Sequence, residues 1–115
     1  MSKGDELYVG HMLDTSQKAV AKLSGKSRSE YDEDENLRLA LAHLLQIIGE
    51  AARRVSPTIR ERHRRVPWNA IIGMRHKVVH EYLIVDYDVV WETVVNDLPP
   101  LVELLSRIVG SENED

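Results

Sequence analysis

The chain has no cysteine. That absence removes disulfides, thiolate nucleophiles and every cysteine-based zinc or iron–sulfur site, and it suits a reducing cytosol. Proline and glycine are scarce, at four and six residues, too few for a β-sandwich or a collagen-like chain. No stretch approaches the roughly 20 apolar residues of a membrane span. The opening MSKGDELYVG carries charges where a signal peptide needs an apolar run. A cytoplasmic protein that does not enter a membrane is the expectation. The chain's 115 residues, 43% apolar and 30% charged, suit one domain over residues 1–110 with a short polar tail at 111–115.

The formal charge is −4, but its distribution says more than its sum. Arg53, Arg54, Arg60, Arg62, Arg64 and Arg65 stand within one short stretch against Glu61 alone. Glu30, Asp32, Glu33, Asp34 and Glu35 form an acidic run earlier in the chain. A basic patch on an acidic protein can bind phosphates without coating nucleic acid indiscriminately; a solvated charged face is the plainer reading.

Apolar residues recur at helical spacing through most of the chain. A first helix is expected over residues 5–23, ended by Gly25. A polar connection over 24–30 follows, and then a second helix that starts in the acidic run, whose carboxylates favour the positive end of a helix. It stops before Ser56-Pro57, where serine can cap and proline can open a short helix to about Arg64. A central helix spans 67–82. Residues 83–85 read as a turn, and Asp86 or Asp88 can cap a last helix whose seam is Tyr87, Trp91, Val94, Leu98, Leu101, Leu105 and Ile108. Pro99-Pro100 removes two amide donors within it and predicts a kink or break. No segment alternates with period two for long enough to make a strand. The pattern is all-α: an up-down bundle of four main helices plus one short helix. Gly49 and Gly73, each inside a helical pattern, suggest a close crossing of the second and central helices.

The central segment PWNAIIGMRHKVVHEY organises the rest. As one helix it carries Trp68, Ile71, Ile72, Val78, Val79 and Tyr82 as an apolar stripe, with Arg75 near its centre. A guanidinium does not lose its charge on burial, so Arg75 has to meet an anion, a partner chain or a solvent-filled cleft. Asn69, Gly73, His76 and His80 form a second, polar stripe, with His80 about 140° round from Arg75. Either the helix ends near His80, or a second copy of the chain supplies the other half of a shared site.

Three kinds of chemistry compete for these residues. His76 and His80 have i, i+4 spacing suitable for two zinc ligands, but no third ligand accompanies them, and no metal site is expected. A Ser-His-Asp arrangement has neither a serine elbow nor a sheet to carry one. Cleavage of an RNA phosphodiester fits better. It needs a base for the 2′-hydroxyl, an acid for the leaving 5′-oxygen and positive charge on the phosphorane; histidine can do the first two and arginine the third. The structural alternative is a helix-end His80 satisfied by a carbonyl, with Arg75 paired to a core carboxylate such as Glu50.

Arg75, His80 and Tyr82 form an Arg-x4-His-x-Tyr pattern that resembles the motif of the HEPN superfamily. LLQIIGEAARRVS (44–56), PWNAIIGMRHKVVHEY (67–82) and VDYDVVWETVVNDLPPL (85–101) each read like its HepT-like toxin branch, so the resemblance covers most of residues 8–108. It implies a HEPN-like fold and a homodimeric, metal-independent endoribonuclease without a cofactor. By the same resemblance the protein would be the toxin of a toxin–antitoxin pair, neutralised by a cognate nucleotidyltransferase that transfers AMP to Tyr82. The family's catalytic arginine and histidine fall on Arg75 and His80. His76 departs from the Asn or Asp common after the arginine; its candidate roles are orienting the phosphate, replacing an amide's hydrogen bonds or adding a second titrating group. Arg62, Arg64 and Arg65 are the candidates for guiding the RNA backbone. A second functional class is a catalytically silent module that docks a nucleotidyltransferase and holds its nucleotide or substrate; a third is an interaction bundle with no ligand.

Overall fold

Most of the helices start at a side-chain cap that the sequence supplies. A computed structural model of the chain describes residues 1–80 and 84–112, His80 by its backbone alone. Helix α1 (Lys3–Leu23) opens where the Ser2 hydroxyl accepts from the Asp5 amide at 3.0 Å. It ends just before Gly25, whose φ of +75° lets the chain turn away. The expected polar connection after it contains a further helix, α2 (Arg28–Glu33). Its signal is a capping box: the Glu30 amide donates to the Ser27 hydroxyl and the Ser27 amide to the Glu30 carboxylate, both at 3.1 Å. Asp34 caps α3 (Glu35–Arg54), and Ser56 with Pro57 opens α4 (Pro57–Arg62), as the sequence predicts.

Met12, Leu41, Leu45, Ile48, Leu98 and Leu105 are fully buried where α1, α3 and the last helix pack together. Asp5 ties the two ends of this layer. Its carboxylate, only 7% exposed, accepts from both the amide and the hydroxyl of Ser56 at 2.8 Å. Burial alone would raise its pKa; the hydrogen bonds from Ser56 outweigh that and hold the carboxyl below its ordinary range.

The central segment departs from one continuous helix. It divides into α5 (Trp68–Ile72) and α6 (Met74–Val78), joined at Gly73 with φ −76° and ψ −3°. That ψ is well short of helical and re-aims the following turn. The inward residues become Trp68, Ile71, Met74 and Val78. Met74 therefore takes the core position that an unbroken helix would assign to Arg75. Gly49 on α3 is what lets α5 and α6 approach: a Cβ there would stand 2.9 Å from the Ile71 carbonyl oxygen. The close crossing expected from Gly49 and Gly73 is present.

After α6 the chain forms β1 (Val79–His80), which pairs antiparallel with β2 (Ile84–Val85), Val79 opposite Val85 and His80 opposite Ile84. The turn expected over 83–85 is thus a strand at its last two residues, and Leu83 lies outside the described residues. Asp86 caps α7 (Tyr87–Glu92) by accepting from the amides of Asp88 and Val89, and its own amide donates to the Val78 carbonyl at 2.7 Å. The irregularity expected at Pro99-Pro100 is a π-helical turn over Thr93–Asp97 that runs straight into α8 (Leu98–Glu112). Two prolines without N–H groups cannot close the preceding α-turn, and the wider turn absorbs the mismatch. Ser111 and Glu112 belong to α8, and the rest of the predicted tail is outside the described residues.

The fold is all-α and HEPN-like, with α5 and α6 in the place of a fourth long helix and the β1–β2 pair as the described β structure. No helix among the described residues is long and apolar enough to cross a membrane.

Candidate active site

Met74 and Val78 anchor α6 to the core, so the residues between them face outward. Arg75, His76 and Lys77 are all exposed, three consecutive side chains at the C-terminal end of a helix, where positive charge is favourable. The expected place of Arg75 near the centre of the apolar stripe is therefore corrected: Met74 and Val78 face the core and Arg75 stands outside it. Its alternative pairing with Glu50 is not formed: the ion pairs of Glu50 among the described residues are those with Arg53 at 2.9 Å and Arg54 at 3.4 Å on its own helix. The Arg53 hydrogen bond, and then Arg54, hold the Glu50 carboxyl below the usual range. Arg75 has no ion pair or side-chain hydrogen bond with a described residue. Its guanidinium is available to an anion.

The helix ends before His80, the first of the two possibilities left open by the sequence. The Val79 amide donates to the Arg75 carbonyl as α6 closes, and β1 carries the His80 backbone away in an extended conformation. The ladder to β2, with the Asp86 amide on the Val78 carbonyl, fixes that backbone against the start of α7. The His80 side chain and all of Tyr82 lie outside the described residues.

Sequence reasoning misses Ile84. This residue, opposite His80 across the ladder, is 62% exposed, the largest exposure among the big hydrophobic residues described. An isoleucine left wet beside the motif is a surface feature that spacing alone does not reveal.

The arginine-rich stretch divides into held and free groups. Arg53 and Arg54 are held by Glu50. Arg60 donates to the Val55 carbonyl at 3.1 Å. Arg62 donates to Glu112 at 2.6 Å and, with His63 beside it, keeps that carboxyl below its usual range. Arg64 and Arg65 are exposed and have no such partner among the described residues. They stand on the short connection between α4 and α5, which the Trp68 indole pins by donating to the His63 carbonyl at 3.0 Å. A cleft of about 280 Å³ there is lined by Arg62, His63, Arg64, Arg65 and, from α8, Arg107. Nothing in the spacing of the chain joins Arg107 to this patch; the fold brings it in, where it meanwhile pairs with Glu103.

The comparison with known proteins bears directly on this arrangement. The family model for HepT-like ribonucleases matches residues 12–108. The chain belongs to the HepT-like ribonuclease family. Membership places it among ribonucleases of HEPN type. A protein of Caldanaerobacter subterraneus subsp. tengcongensis, provisionally named an RNase, is 35% identical over 105 residues, covering 91% of this chain and 94% of its own. One from Methanocaldococcus jannaschii, also provisionally named an RNase, is 35% identical over 83 residues, or 70% and 69% of the two chains. A Thermococcus cleftensis protein provisionally named ribonuclease HepT is 37% identical over 68 residues, 59% of this chain and 62% of its own. No solved structure gives a significant match.

Proposed function

We propose that this HepT-like protein is a metal-independent endoribonuclease whose active site is shared between two copies of the chain. The observation that carries the reading is the state of Arg75: an exposed guanidinium with no described partner, on a short helix that ends two residues before the motif histidine. Arg75 clamps the scissile phosphate and stabilises the charge that builds on the phosphorane. His80 takes the proton from the 2′-hydroxyl, and its counterpart in the second copy protonates the leaving 5′-oxygen. His76, exposed beside Arg75, orients the phosphate. Exposed Ile84, in register with His80, supports the second copy: burying it in a two-fold contact would bring both His80 strands to one axis. Arg64 and Arg65 guide the RNA backbone, with Arg62 contributing once Glu112 releases it.

The protein then serves as the toxin of a toxin–antitoxin pair. A cognate nucleotidyltransferase antitoxin adenylylates Tyr82, replacing a phenol with a nucleotide whose phosphodiester occupies the phosphate subsite near Arg75.

Incubating the pure protein with labelled RNAs in excess chelator, and mapping the product ends, tests the nuclease. Cuts ending in 2′,3′-cyclic phosphate are expected. Intact RNA in chelator with cleavage restored by a divalent metal would overturn the mechanism. For the regulation, mass spectrometry after treatment with the partner enzyme and ATP should find one AMP on Tyr82, and an unmodified tyrosine would remove that part.

A further inference from the structure

Beside the candidate active site lies a cleft that the mechanism does not use. It has a volume of about 450 Å³, between α5 and α6 on one side and the π-helical turn and α8 on the other. Its floor is aliphatic, from Ile71, Met74, Leu98 and Leu101. Two cations, Arg65 and Lys77, also line it. Asn96 and Asp97, both exposed, stand on the π-helical turn. We propose that this cleft is a nucleobase pocket that selects guanine next to the cleaved bond. The inference rests on the ribonuclease reading of Arg75 and His80.

Three features favour a base over other occupants. The cleft shares Arg65 with the arginine-rich half of the proposed RNA path, and Met74 and Lys77 on its wall stand on either side of Arg75 and His76 in α6. A strand that follows Arg65 toward α6 passes its mouth, with Lys77 as a second cation for the phosphate. The aliphatic floor suits the flat face of a base that has left its stack, the form in which single-stranded RNA is read by sequence. Asp97 then supplies the selection. An ionised carboxylate only accepts hydrogen bonds, and on a phosphate-binding surface it repels the backbone. It fits there when a base presents paired donors, and guanine does so with N1–H and its 2-amino group. Uracil offers one donor flanked by two carbonyls, which a carboxylate repels. The Asn96 amide donates to Glu92 at 2.6 Å, which leaves its carbonyl oxygen as a second acceptor. An acidic, apolar peptide of a protein partner would satisfy Arg65 and Lys77 but would be opposed by Asp97.

Met74 is a reporter for the floor, since only three methionines are present and Met12 is fully buried in the core. With methyl-labelled methionine, 5′-GMP titrated into the whole protein should shift the Met74 signal, and 5′-UMP at the same concentration should leave it in place. In parallel, cleavage of a randomised RNA by wild type should favour guanine at one position flanking the cut by about tenfold or more, and Asp97→Asn should flatten that preference. Equal shifts from both nucleotides, no shift from either, or an Asp97→Asn profile identical to wild type would overturn the pocket while leaving the nuclease standing. A Met74 signal that moves only with the nucleotidyltransferase would assign the cleft to a protein contact and likewise overturn it. If wild type cuts no RNA, the nuclease reading fails, and the GMP titration alone decides the pocket.

Discussion

Replacing Gly49 by alanine should destabilise the fold, against the usual direction for that change in a helix. In a helix interior alanine is favoured over glycine by roughly 1 kcal/mol. At Gly49 the new Cβ would lie 2.9 Å from the Ile71 carbonyl oxygen, 3.7 Å from that of Ile72 and 3.9 Å from the Met74 Cβ. The nearest atom is backbone on a separate helix, so no side-chain rotation relieves it; α5 and α6 must move off α3. Overpacking of this kind costs about 1–3 kcal/mol. With the propensity gain subtracted, the net loss is about 0–2 kcal/mol, so the variant falls about 1–3 kcal/mol below a glycine-to-alanine change made without a clash, and a chain of this length loses about 4 °C in Tm for each kcal/mol. Gly10→Ala is the matched control: it also sits in a helix, and its Cβ would meet nothing within 4 Å. That variant should gain up to about 1 kcal/mol. Thermal and urea denaturation of the two variants beside wild type read both signs. A Gly49→Ala protein as stable as the Gly10→Ala protein would refute the close crossing, and with it the framework that aims α6.

Asp5→Ala leaves the Ser56 amide and hydroxyl without their acceptor and should cost roughly 1–3 kcal/mol at neutral pH. The folded carboxyl titrates below its free value of 3.8, so its contribution is complete above that pH and is lost as pH falls through the lower folded value. Acid titrations of stability should accordingly show a shallower acid limb in the variant, and parallel limbs would contradict this. Arg64→Ser with Arg65→Ser should reduce the salt slope of single-stranded RNA binding by about 1.4, since each phosphate neutralised on a single strand adds about 0.7. Arg62→Ser should change it less, because Glu112 already occupies that guanidinium; equal slopes for all proteins would make the patch an ordinary solvated face.

Long helices are legible in the sequence because their signals are local. The start of α3 at the acidic run, the Ser56-Pro57 opening of α4 and the seam through Leu98, Leu101 and Leu105 each follow from spacing and caps within a few residues. The Ser27-x-x-Glu30 box marks α2 equally locally, and reading that stretch as mere connection overlooks it. The orientation of Arg75 is a different matter. It depends on one backbone angle at Gly73, and apolar residues at 71, 72, 78 and 79 suit an unbroken helix as well as a broken one. Motif spacing nominates Arg75 and His80 as the candidate pair without saying which way the guanidinium faces. Arg107, Ile84 and the acceptors on the π-helical turn leave no trace in the spacing, because only tertiary packing brings them near that segment.

The proposed mechanism requires that the Arg75 guanidinium itself supply the charge for cleavage. Single-turnover RNA cleavage by Arg75→Ala in chelator, with and without free guanidinium at non-denaturing concentration, tests it most directly. Because Arg75 is exposed and has no described partner, the variant should keep wild-type stability to within about 0.5 kcal/mol. It should cleave about 100- to 1,000-fold more slowly, as expected for a lost transition-state donor, and added guanidinium should restore part of the rate. The same addition should do nothing for His80→Ala. An Arg75→Ala protein that cleaves at the wild-type rate would contradict the mechanism.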